Sequence, residues 1–182
     1  MDEKVSTNRF NDDDCPTTGR YSHLQTFVNN LPYLVMIILG ATIFLFTFGS
    51  STTRFTTASI YFLYGIVGAF WIMVFMCPYC RFWGTQSCPC GYGILAERFT
   101  RKKNPQLFSE KFKKHIPVIV PLWFIPVISG GIFIVINFSF LLLALVIVFV
   151  IDSFIILPVF SKKHGCTDCP QKQDCPWMKG KA

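Results

Sequence analysis

From Ile116 to Phe160 the chain runs for about forty-five residues with one charge in it, Asp152. A helix needs about twenty apolar residues to cross the ~30 Å hydrocarbon layer, so the run is too long for one crossing and predicts two helices in a tight hairpin. The turn falls either at Asn137-Phe138-Ser139 or at Ser129-Gly130-Gly131. The first choice is preferred, because it leaves two spans of about twenty-two residues each. Pro117, Pro121 and Pro126 are expected to bend the first of them. Two further uncharged runs precede the hairpin, Leu31–Ser50 and roughly Ala58–Met76, with a Ser/Thr-rich connection containing Arg54 between them. Gly65 and Gly68 in the second run allow close helix approach. With 52% hydrophobic residues, 15% charged residues and 20 Phe, the composition is that of an integral membrane protein. The expected fold is an all-α membrane protein of four transmembrane helices.

The polar remainder falls into three pieces. Residues 1–30 form an N-terminal tail containing Asp12-Asp13-Asp14 and Cys15, without the basic start and early apolar region of a cleavable signal peptide. Residues 161–182 form a C-terminal tail. Within the 77–115 connection, residues 94–115 alternate Arg and Lys with Ile94, Leu95, Phe99, Leu107, Phe108 and Phe112. That pattern reads either as two short amphipathic helices in the lipid interface, broken at Asn104-Pro105, or as a solvated basic loop. Lys and Arg number three in 1–30, eight in 77–115 and five in 161–182, against Arg54 alone in the 51–59 connection. Such asymmetry places both termini and the central loop in the cytoplasm of an inner, multi-pass membrane protein. The net charge of +7 is then accounted for by anionic lipid, and no nucleic-acid partner is expected. The division is 1–30 tail, 31–160 transmembrane domain with the Cys-rich loop 77–115, and 161–182 Cys-rich tail.

The chemistry is concentrated in cysteine. Cys77, Cys80, Cys88 and Cys90 lie within fourteen residues, punctuated by Pro78, Gly84, Pro89, Gly91 and Gly93. That punctuation ends the preceding helix and makes a tight loop able to gather thiols round one centre. Cytoplasmic thiols stay reduced, which argues against structural disulfides. Two four-thiolate sites would use all eight cysteines: Cys77, Cys80, Cys88 and Cys90 in the loop, and Cys166, Cys169, Cys175 and Cys15 from the tails. His164 or His115 is an alternative to Cys15 as the fourth tail ligand.

Five of the eight cysteines precede proline, a step familiar in cluster-binding runs of the bacterial ferredoxin type. Cys166-x2-Cys169-x5-Cys175-Pro176 resembles the auxiliary-cluster segment of radical-SAM peptide maturases, whose next cysteine is replaced here by Lys179. The loop and tail together resemble ferredoxin-type membrane subunits of anaerobic reductase chains, although the tandem motifs of those proteins are absent. The resemblance implies one or two iron–sulfur clusters of the 4Fe-4S kind, and a redox protein or quinone as partner. Zinc is the alternative, since Cys77-Pro-Tyr-Cys80 and Cys88-Pro-Cys90-Gly91 look like the two halves of a zinc ribbon, the second shortened by one residue. Cys-Pro-Tyr-Cys is also the glutaredoxin dithiol. Here it follows a membrane helix, where the C-terminal dipole disfavours a thiolate. The Asp-His-His-Cys of palmitoyltransferases, which also carry such a loop, is missing, and palmitoylation of Cys77 and Cys80 would leave the other thiols unexplained.

Asp152 is the one acidic residue in the apolar runs. Placed about 12 Å below the inner boundary, it is a candidate for proton relay or quinone contact, or else a packing residue held through Ser153. His23, His115 and His164 lie outside the spans, where they cannot serve as axial ligands of a transmembrane haem. The sequence therefore leads to a membrane-bound iron–sulfur electron-transfer protein, as an enzyme only in the sense of an oxidoreductase subunit. The alternatives are a zinc-stabilised membrane adaptor or assembly protein, and a membrane dithiol oxidoreductase.

Overall fold

The computed structural model describes residues 21–166 and 175–176. Helix α1 covers His23–Thr47 and α2 covers Ser51–Phe75, antiparallel to it. A loop with the short helix α3 (Tyr92–Glu97) leads to α4 (Phe108–His115). The chain then enters α5 (Pro121–Ile136), turns, and returns as α6 (Phe140–Ile151), which continues through a π-helical stretch Asp152–Ile156 into α7 (Leu157–Phe160). Four helical stretches are long and apolar enough to cross a membrane: His23–Thr47, Ser51–Tyr79, Pro105–Ile136 and Phe140–His164. Ile60, Leu63, Val67, Val135 and Val159 stand exposed along them, as a surface meeting lipid would have it.

The hairpin turn is at Asn137–Ser139, with the Ser139 hydroxyl accepting from the Leu142 amide. Two boundaries depart from the sequence expectation. α1 starts at His23, so residues 23–30 are helix and not tail. The reason is a capping box: the Ser22 hydroxyl accepts from the Gln25 amide, and the Gln25 side chain accepts from the Ser22 amide. Residues 51–59 likewise belong to α2, started by Ser50 on the Thr53 amide.

Glycine sets how closely the helices approach. A Cβ at Gly40 would fall 2.3 Å from the Tyr61 ring, so that ring lies flat on bare α1 backbone. Its hydroxyl continues to α5 and donates to the Leu122 carbonyl at 2.8 Å. That carbonyl is orphaned because Pro126, four residues on, has no N–H to offer. Tyr64 donates to the Val118 carbonyl, left unused because the Leu122 amide turns to Ile119 instead. Tyr33 donates to the Gly65 carbonyl at 2.8 Å. Irregular backbone at α5 is thus satisfied by Tyr61 and Tyr64. Tyr61→Phe keeps the ring and strands the Leu122 carbonyl, so it is expected to destabilise the bundle by about 1–2 kcal/mol. A thermal melt in detergent reads this; an unchanged midpoint would mean the carbonyl has another donor.

Candidate functional site: the cysteine loop

The loop is built from the end of α2 onward. Pro78 cannot donate to the helix, so after Met76 the chain tightens into a 3-10 turn at Cys77–Tyr79, with the Cys80 amide on the Cys77 carbonyl at 3.0 Å. Cys88-Pro89-Cys90-Gly91 closes as a second turn, the Gly91 amide on the Cys88 carbonyl at 3.0 Å and Gly91 at φ 72°. From there α3 begins, and the Gly93 amide donates to Cys88 Sγ at 3.3 Å. A Cβ at Gly93 would lie 2.3 Å from the Phe82 carbonyl oxygen, so only glycine lets the segment 80–85 fold this closely over the start of α3.

Three thiols are gathered by these turns. Cys88 and Cys90 lie within electrostatic reach of Cys77, and all three reach Tyr92. Burial, and then the neighbouring Cys90, Tyr33, Cys77 and Cys88, hold the Tyr92 phenol well above its ordinary value. Cys77, Cys88, Cys90 and Cys80 are each half-buried. The backbone turn described above ties Cys80 to Cys77. Among the described residues, no three Cys, His, Asp or Glu side chains close to ion-holding geometry. The arrangement gathers thiols and aims one amide at a sulfur, a contact of the kind that tunes thiolate ligands.

What holds the loop is less apparent from its own sequence. Asn29 and Asn30 on α1 donate to the Pro89 and Cys90 carbonyls at 2.9 and 3.0 Å. The Tyr21 amide donates to Gln86 and its hydroxyl to the His164 carbonyl, both at 3.2 Å. On the opposite side the Lys103 amide donates to Pro78 at 2.8 Å, and Lys103 Nζ stands 5.3 Å above the Tyr79 ring. Trp83 Nε1 donates to Thr100 Oγ1 at 3.1 Å. The start of α1, the loop and the end of the last helix therefore meet at one end of the bundle. Asn29 and Asn30 went unrecognised in the sequence because they sit in the stretch taken for tail; the Ser22-x-x-Gln25 capping signature could have revealed them.

Of the proposed tail site, Cys175 is buried with a free thiol. Cys15, Cys169 and the Cys166 side chain lie outside the described residues. The two candidate histidines both stack on aromatics: His115 on Phe75 at 5.0 Å and His164 on Phe160 at 4.4 Å. Asp152 is buried, 5% exposed, and its Oδ2 has no hydrogen-bond partner among the described residues. Ser153 does not hold it: that hydroxyl donates to the Phe149 carbonyl. The helix runs on through Ser161–Cys166, but Lys162 and Lys163 make that extension polar, so the apolar run still ends near Phe160, about 12 Å beyond Asp152. Asp152 stands midway along the helical stretch Phe140–His164. The chain matches no protein-family model, no curated protein and no solved structure.

Proposed function

We propose that this is a membrane-bound electron-transfer protein whose Cys77, Cys80, Cys88 and Cys90 hold an iron–sulfur cluster and pass electrons between a soluble donor and a membrane partner or quinone. The observation that carries the reading is the gathering of Cys77, Cys88 and Cys90 at one end of an apolar bundle, with the Gly93 amide on Cys88 Sγ. Four thiolates and an amide aimed at one of them suit a cluster, which when bound supplies one-electron chemistry. The chain's own part is to fix the two turns, through Asn29, Asn30 and Lys103, and to shield the sulfurs with Tyr92. The cysteines of the two tails are assigned to a second centre on sequence grounds.

The same thiols fit zinc, and the Cys88-Pro-Cys90-Gly91 turn favours that second reading of a zinc-stabilised adaptor. Anaerobic purification followed by iron, acid-labile sulfide and zinc analysis decides between them. Iron and sulfide in equal amounts are expected; stoichiometric zinc without iron would replace the electron-transfer reading.

Sidedness belongs to the same proposal, with both termini and the loop cytoplasmic on the Lys/Arg count. In intact cells an impermeant maleimide should label a cysteine introduced at Gly49, in the connection between α1 and α2, and none of the native eight. Labelling of Cys88 from outside would reverse the orientation and reopen disulfide chemistry.

A further inference from the structure

Residues 94–115 carry seven Lys and Arg against two Glu, and the structure shows how little the two acids neutralise. Glu110 is taken by Lys111 at 3.1 Å. Glu97 packs against Gly84, where a Cβ would meet its carboxyl at 3.3 Å. Arg98, Arg101, Lys113 and Lys114 stand exposed and form no ion pair among the described residues.

Their depth is fixed by aromatic contacts. Phe99, 62% exposed, lies with its ring centroid 5.8 Å from that of Phe70, itself 45% exposed on the outer face of α2. Phe70 is one and a half turns before the end of a membrane-length helix. An exposed ring packed on an exposed ring of such a helix stays out of water only if lipid surrounds both. Arg98 and Arg101 flank Phe99 and so stand at the height where hydrocarbon gives way to headgroups. α4 returns to the same helix end, with His115 stacked on Phe75, while Phe108 and Phe112 pair one turn apart at 5.9 Å. Apolar rings inward and cations at the rim make an interfacial geometry. A soluble acidic protein would match the charges but would leave the Phe99–Phe70 pair without a partner.

We infer that Arg98, Arg101, Lys113 and Lys114 form a headgroup site for an anionic phospholipid, whose acyl chains lie over Phe99 and Phe70. Phosphate oxygens accept from the two guanidinium groups, and the two lysines at the same end of α2 add positive potential.

The test uses the full chain reconstituted into vesicles that mix phosphatidylglycerol and phosphatidylcholine, with bromine on the acyl chains of one lipid at a time. Quenching of tryptophan, including Trp71 and Trp83 near the site, reports which lipid is adjacent. A relative affinity for phosphatidylglycerol of roughly fivefold or more is expected, since even one basic residue at an anionic surface contributes about fivefold. It should fall with rising salt and shrink to near unity when all four residues become glutamine. Equal quenching by the two lipids in the parent protein overturns the site, whatever the variant does. A preference that survives in the glutamine variant, or one indifferent to salt, also overturns it. So does soluble polyglutamate binding to a parent protein that shows no lipid preference.

Discussion

Serine placed at Cys77, Cys80, Cys88 or Cys90, one position at a time, is expected to remove the same bound centre in all four proteins. A four-thiolate site that loses one ligand is opened to water and to exchange, and metal binding in such sites is worth on the order of 10 kcal/mol of folding free energy. The four positions are not equivalent in the fold. Cys88 and Cys90 are in reach of Cys77, and a 3-10 turn joins Cys80 to Cys77. If the centre is shared, that difference disappears in the outcome: iron, sulfide and zinc contents drop together in each variant. If Cys77→Ser and Cys90→Ser keep full metal content, the loop is not one site. If Cys80→Ser alone keeps it, the centre rests on three loop thiols and a ligand from elsewhere. A matched control is Thr85→Ser, in the same loop and chemically similar, which should leave the metal in place.

The sequence foretold those parts of the fold that rest on local chemistry. Proline at 78 and glycine at 91 had to break the helix and turn the chain, and they do. The Asn137–Ser139 turn followed from helix length alone. What escaped was either capped or distant. Polarity over residues 23–30 and 51–59 suggested connections, yet a Ser22 box and a Ser50 cap extend both helices through them. Once α1 is that long, its first turns pass beside the loop, and Asn29 and Asn30 become its hydrogen-bond donors across some sixty residues of chain. No periodicity encodes such a contact. The tyrosines of α2, Tyr61 and Tyr64, were passed over for the same reason. Their hydroxyls matter only because Pro126 and the irregular entry to α5 leave carbonyls open.

Asp152→Asn is expected to preserve metal content and dithionite reduction while slowing quinone-coupled reoxidation by about tenfold or more, equivalent to about 1.4 kcal/mol in the barrier. A carboxyl group in the middle of an apolar bundle, with Oδ2 unpartnered among the described residues, is an expensive thing to keep for packing alone. The helix around it is also altered. Pro158 has no N–H for the turn before it, and the chain widens so that the Leu157 amide bonds to the Asp152 carbonyl, five residues back. Such π-helical turns are frequent at functional positions, and this one presents the single acidic residue of the apolar runs. Asparagine fills the same volume and can still accept a hydrogen bond, but it carries no exchangeable acid proton. Loss of coupled turnover with intact centres would therefore locate the defect in proton delivery. A packing role predicts the reverse, a lower melting midpoint with unchanged turnover. Stopped-flow reoxidation of the dithionite-reduced protein by a short-chain quinone, set beside a thermal melt of the same sample, separates the two. Unchanged reoxidation in a fully metallated Asp152→Asn protein would remove the proton-relay role and leave electron transfer resting on the cysteines.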